Sequence, residues 1–210
     1  MPAVHTWAPP TTDQVVALQT SQLNALATSN IQALSSDQVV ALTTNQVAGI
    51  STRNIAALTT ASIAVLTTDQ IGPVSSANLA ALSSVQVKAL STDNVVALST
   101  YQVANLTTGT MAALSTGQLQ AIETGDIQAL TTRQLASIST STVQALSTDQ
   151  VVALTTYQVS NLASSSIKAL TSDQVQAIET GDIRVLTTGQ IGSLATSTVS
   201  VLTTDQVVAP

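Results

Sequence analysis

The chain has 210 residues, of which 44% are hydrophobic, 1% aromatic with no Phe, and 8% charged. Soluble domains usually carry about 25% charged residues, so any core here is thin and filled by small aliphatic side chains. The net charge is −6 and the five cations (Arg53, Lys88, Arg133, Lys168, Arg184) are scattered, which argues against nucleic-acid or anionic-membrane binding, both of which need a concentrated basic face.

Met1 to Pro10 has no basic start and no apolar run, so it does not read as a secretory signal peptide. It holds the single Trp (Trp7) and the single His (His5), and residues 1–11 are expected to cap the array that follows. The absence of cysteine excludes disulfides and thiolate metal sites and suits an extracellular bacterial protein. Thr and Ser interrupt every apolar stretch, so no segment approaches the roughly 20 apolar residues of a membrane helix.

From Thr12 the chain divides into octads without insertion or deletion: TDQVVALQ, TSQLNALA, TSNIQALS, SDQVVALT, and onward to a final TDQVVAP. There are 24 complete octads plus a partial one, so residues 12–210 are expected to form a single solenoid. The consensus is T-x-Q-V-x-A-L-T. Position one is Thr or Ser in all 25 octads, and position four is Val, Ile, Leu or Met in all 25. Position seven is Leu, Ile or Val except at Pro210, and position three is Gln in 14. Positions two and five vary most and should face solvent.

A longer period overlies the short one. Tyr101 recurs as Tyr157, Asn105 as Asn161, and Glu123 as Glu179, each 56 residues apart, or seven octads. Segmental duplication accounts for this. A sharper reading is that seven octads close a whole number of coils, such as two coils of three and a half.

A continuous helix fails, because eight residues at about 100° each leave about 80° of drift per repeat and the apolar stripe would spiral. Short broken helices fit the pattern. The eighth-position Thr or Ser serves as N-cap, and the Gln three residues later completes a capping box, as in Ser147-Thr148-Asp149-Gln150. Val151 and Leu154 then share one face. The alternative is a β-solenoid with a corner in each octad, which the Val, Ile and Thr content suits. Glu123 and Glu179 stand at cap positions as poorer caps, and Gly72-Pro73 falls inside an expected helix, where Pro removes a hydrogen bond. The expected fold is all-α: very short helices, one per octad, coiled into a narrow rod with three to four octads per coil. Spacing packed helices about 8–10 Å apart gives a rod of about 50–80 Å.

No residue reads as catalytic, cofactor-binding or metal-ligating. His5 lacks the partners a metal or catalytic centre needs. Asp126 and Asp182, following Glu123 and Glu179, form acidic pairs far short of the six or more oxygens Ca²⁺ usually takes, and read as helix starts. Gly109, Gly117, Gly125, Gly181 and Gly189 follow repeat-starting Thr residues and do not compose a phosphate loop. Tyr101 and Tyr157 read as singly exposed rings or contact points between rods. The Thr-Thr and Ser-Thr pairs raise a second reading, a binding module with a flat Thr face for ice or a polymer, although capping already needs those hydroxyls.

LTTDQVVA (Leu202 to Ala209) resembles the first-helix segment of TAL-effector repeats, L-T-x-x-Q-V-V-A-I, which implies a helical octad. The likeness covers eight residues of a repeat more than thirty long, and the base-reading loop has no counterpart. Across almost the whole chain, the LTTxQVxAL octads resemble those of long repetitive bacterial proteins that are secreted or surface-attached. That resemblance implies a spacer, fibre or adhesin stalk. With no chemical site among the residues, the expectation is a structural protein, not an enzyme, with no cofactor and no small-molecule substrate, and with itself as partner through end-to-end or lateral assembly.

Overall fold

The computed structural model describes residues 10–208. Among them each octad forms one short helix, numbered in chain order from α1 (Thr12–Ala17) to α25 (Thr204–Val208), and no residue lies in a strand. The β-solenoid alternative is set aside. His5, Trp7 and Pro210 lie outside the described residues.

Where it is present, the capping box explains why a helix starts where it does. Before α18 (Thr148–Val152), Ser147 is extended at φ −68° and ψ 160°. Its Oγ accepts the Gln150 backbone N–H at 3.1 Å, and its own N–H donates to Gln150 Oε1 at 3.0 Å. Two orphan donors of the first turn are thereby satisfied. The helices stop because position seven returns to extended backbone, as at Leu90 (φ −61°, ψ 138°), whose N–H closes a last turn on Val87 O at 3.2 Å. Glu123 and Glu179 make no side-chain cap, as their chemistry predicted. α8 (Thr68–Ile71) ends after four residues, just before Gly72-Pro73, and Val74 still enters the core.

Helices this short are unstable alone, so packing must hold them. The chain divides into two compact units, Met1–Leu98 and Ser99–Pro210. In the first, α1 packs on α4 (Ser36–Ala41), and α5 (Thr44–Ala48) on α8. In the second, α18 packs on α21 (Ser172–Ala177), and α20 (Ser164–Ala169) on α23 (Thr188–Ser193). A helix therefore meets the helix three octads on, and each unit is an all-α solenoid. Positions four and seven fill the interior: Ile55, Ile63 and Ile71 with Leu58, Leu66 and Val74 in the first unit, Leu119, Ile127 and Leu135 with Ile122, Leu130 and Ile138 in the second. Second-position Asp13, Arg53 and Tyr157 face solvent, as expected.

One glycine is required by the close approach of coils. A Cβ on Gly49 would come within 2.6 Å of Thr20 Cγ2 in the preceding coil. The same contact is clamped by Asn24, whose Nδ2 donates to Gly49 O at 2.8 Å while its Oδ1 accepts Ser51 N–H at 2.8 Å. Gly125, in contrast, has open space around it. Gly49→Ala should lower stability by about 1–3 kcal/mol through overpacking, and Gly125→Ala should raise it by about 0.4–1 kcal/mol by restricting the unfolded chain. Urea unfolding followed by circular dichroism reads both, and equal shifts of the same sign would contradict the assignment.

Candidate functional site

The most regular chemical feature is a ladder of side-chain amides. Position three is nine-tenths or more buried in every octad from Gln38 to Gln206. The oxygen of each Gln caps its own helix, and the nitrogen reaches the preceding coil. Gln174 Oε1 accepts Thr171 N–H at 2.8 Å, while Nε2 donates to Val143 O at 3.0 Å and Leu146 O at 2.7 Å. Gln70 does the same towards Val39 O (2.9 Å) and Leu42 O (2.7 Å), and Gln150 towards Leu119 O (3.0 Å) and Ile122 O (2.7 Å). The acceptors lie 31 and 28 residues back. Twenty-eight residues are three and a half octads, half of the 56-residue period, in agreement with the reading of seven octads as two coils.

Arm length decides how well each rung works. Asn94, one methylene shorter, still reaches both sides, accepting Ser91 N–H at 3.2 Å and donating to Leu66 O at 3.0 Å. Asn54 reaches only backwards, to Leu23 O at 3.0 Å, and its buried Oδ1 has no partner. Ser62 and Thr110 turn inward to the cap hydroxyls of Thr59 and Thr107 at 2.9 Å.

The burial and the backward reach of position three were not anticipated from the capping box alone. A signal for them is present in the sequence. From Ser62 to Gln150, position three alternates strictly between a shorter residue (Ser62, Asn78, Asn94, Thr110, Asp126, Thr142) and Gln (70, 86, 102, 118, 134, 150). A residue needed only for local capping would not alternate with a two-octad period.

The remaining candidates stay apart. Asp126 and Asp182 are buried at position three, whereas Glu123 and Glu179 are exposed. Thr124 and Thr180 begin α15 (Thr124–Ala129) and α22 (Thr180–Ile183), so Thr-Gly-Asp is a helix start. Among the described residues no group of three His, Cys, Asp or Glu could hold a metal ion. Gly109, Gly117, Gly125, Gly181 and Gly189 lie on five different helices. Tyr101 and Tyr157 are 73% and 70% exposed, and Asn105 and Asn161 behind them donate to Tyr101 O and Tyr157 O at 2.7 and 2.8 Å. The five cations are exposed, four on separate helices and Arg184 just after α22. In the first unit an open groove of about 560 Å³, lined by residues including Gln32, Leu58, Thr60, Ser83 and Val85, has no titratable side chain. No helix of the described residues is long and apolar enough to cross a membrane.

The ALTTAQ repeat family model matches residues 15–52, 74–108, 119–156 and 175–209, together more than half of the chain. The chain belongs to the ALTTAQ repeat family. No curated protein matches it. In this ALTTAQ chain the matched segments each span more than four octads, so each covers more than one coil of ladder bonds. The defining side chains of the repeat are thus used for caps, core and ladder, as in a structural repeat protein.

Two substitutions in the second unit test the ladder. Gln174→Ala removes the donor to Leu146 O, while Val143 O keeps the Leu146 N–H, and should cost about 1–3 kcal/mol. Asp182 stands where a donor is wanted, 28 residues beyond Leu154, and offers only acceptors when ionised. Asp182→Gln should therefore stabilise by about 1 kcal/mol. Chemical denaturation of both variants checks the pair, and loss of stability in Asp182→Gln would refute the donor assignment.

Proposed function

We propose that this ALTTAQ chain is a rod-like spacer or fibre-forming segment of a bacterial surface or extracellular protein, assembling with itself end to end. The observation that carries the reading is the amide ladder. It occupies the one invariantly polar inner position of the octad with a purely architectural bond, and it repeats along both units. Eighth-position hydroxyls are likewise engaged, since Ser35, Thr43, Ser83 and Thr131 accept helix N–H groups. The side chains at position three and the hydroxyls that recur at position eight are spent on holding the coil, whereas no first-position Thr or Ser is buried.

Absence of cysteine and a surface rich in Ser and Thr suit an extracellular setting. The same reading assigns no enzymatic activity, no small-molecule substrate and no nucleic-acid partner. It is supported by the −6 charge and the dispersal of Arg53, Lys88, Arg133, Lys168 and Arg184.

Small-angle scattering of the purified chain should give an elongated particle, with a maximum dimension well above that of a compact domain of 210 residues, whose radius of gyration is about 17 Å. Surface exposure is checked by protease shaving of intact producing cells, which should release ALTTAQ peptides. A compact scattering profile would overturn the spacer reading, and resistance to shaving with release only on lysis would overturn the location.

A further inference from the structure

We infer that the rung at Asp182 holds a hard divalent cation, Ca²⁺ by its chemistry, in the place where a glutamine rung holds its amide nitrogen. The inference goes beyond the spacer reading and is independent of it.

The rungs on either side fix what Asp182 faces. Gln174 donates to Val143 O and Leu146 O, and Gln190 to Val159 O and Leu162 O, at offsets of 31 and 28 residues. The same offsets set Asp182 against Val151 O and Leu154 O. Leu154 O accepts no hydrogen bond among the described residues, and Val151 O, which accepts the Leu154 N–H at 3.2 Å, keeps a second lone pair. Asp182 is 5% exposed, and its carboxylate forms no hydrogen bond among the described residues. A carboxylate buried against carbonyls, oxygen to oxygen, is costly unless a positive group lies between them.

Arm length makes room for an ion. Asp is one methylene shorter than Gln, so its oxygens stop short of the place that Gln174 Nε2 fills in its own rung, 2.7 Å from Leu146 O. At Asp182 the equivalent place is edged by oxygens. A second carboxylate stands beside it. In the flanking octads the cap hydroxyl lies on the position-three oxygen, at 3.1 Å for Thr155 and Gln158 and 3.0 Å for Thr187 and Gln190. Before α22 that cap position is Glu179, which makes no side-chain cap. Two carboxylates and two carbonyls offer up to six oxygens, the hard donor set that Ca²⁺ takes at about 2.3–2.6 Å. Gly181 lies between the two acids, and a Cβ there would meet nothing within 4 Å, so the approach is open to an ion and to water ligands. The two acids alone fall short of a metal site. The backbone oxygens that complete it come from the preceding coil.

The test titrates calcium chloride into the full chain after divalent ions have been stripped by chelating resin. Calorimetry counts binding events, and thermal unfolding followed by circular dichroism reads stability. With two protein carboxylates as ligands, affinity should fall on the order of 10⁻⁴–10⁻³ M. At 100 times Kd the ion should raise the folding equilibrium constant about 100-fold. Glu123 to Asp126 repeat the Glu-Thr-Gly-Asp segment, so the quantity that decides is the number of events lost, not the total. Asp182→Gln should remove one event, and in chelator it should be more stable than the parent because it restores the amide rung. Asp173→Asn removes the same charge from an exposed position in the first turn of α21 and should bind as the parent does. A parent with neither heat nor thermal shift would overturn the site, as would an unchanged number of events in Asp182→Gln. Loss of an event in Asp173→Asn would also overturn it, by assigning the binding to diffuse attraction to an acidic chain.

Discussion

The structure depends on one side chain serving two backbones. At position three the carboxamide oxygen takes the N–H at the start of its own helix, and the nitrogen takes carbonyls of the coil before. A helix of four to six residues has more unsatisfied end groups than internal bonds. Without partners those groups would be costly to bury. Glutamine suits the position because its terminal donor and acceptor sit on an arm long enough to reach both ways. Asn54 shows the limit, with one end bonded and the other left unsatisfied.

This arrangement divides the work between polar and apolar groups differently from an ordinary helical bundle. The apolar residues at positions four and seven are small and uniform, Val, Ile and Leu, and supply burial without much shape. Directional register comes from the amides. The ladder resembles a β-sheet in function, since its bonds tie each coil to the last, yet they run from side chain to backbone. Close approach at Gly49 and the Asn24 clamp add local exceptions to a scheme that otherwise repeats.

Much of this was legible in the residues. Periodicity located every helix start, and the capping box explained those that carry it, because caps are local and depend on neighbours three residues apart; the helices after Ala27, Ala163 and Ala195 start in register without a cap. The solvent positions and the apolar interior followed from the same count. Burial of Gln174 and its donation to Leu146 were not legible from the box, because a glutamine used in a local cap needs no further partner and is usually exposed. The coil length had to be known before the second bond could be drawn. The buried carboxylates of Asp126 and Asp182 escaped for the same reason, since a helix-start reading was sufficient for both.

The ladder also sets a rule for how such a chain can change length. Each donor finds its acceptors at fixed distances of 28 and 31 residues, so one inserted or lost residue would slide every bond spanning it out of register. Point substitutions at positions two and five touch none of this. An addition of eight residues is different: 28 residues behind any third position lies a seventh position and 31 behind lies a fourth, so whole octads leave every donor opposite equivalent carbonyls. The unbroken octad count from Thr12 onward is what remains when growth is permitted only in whole octads, and the seven-octad recurrence of Tyr101 as Tyr157 obeys the same rule.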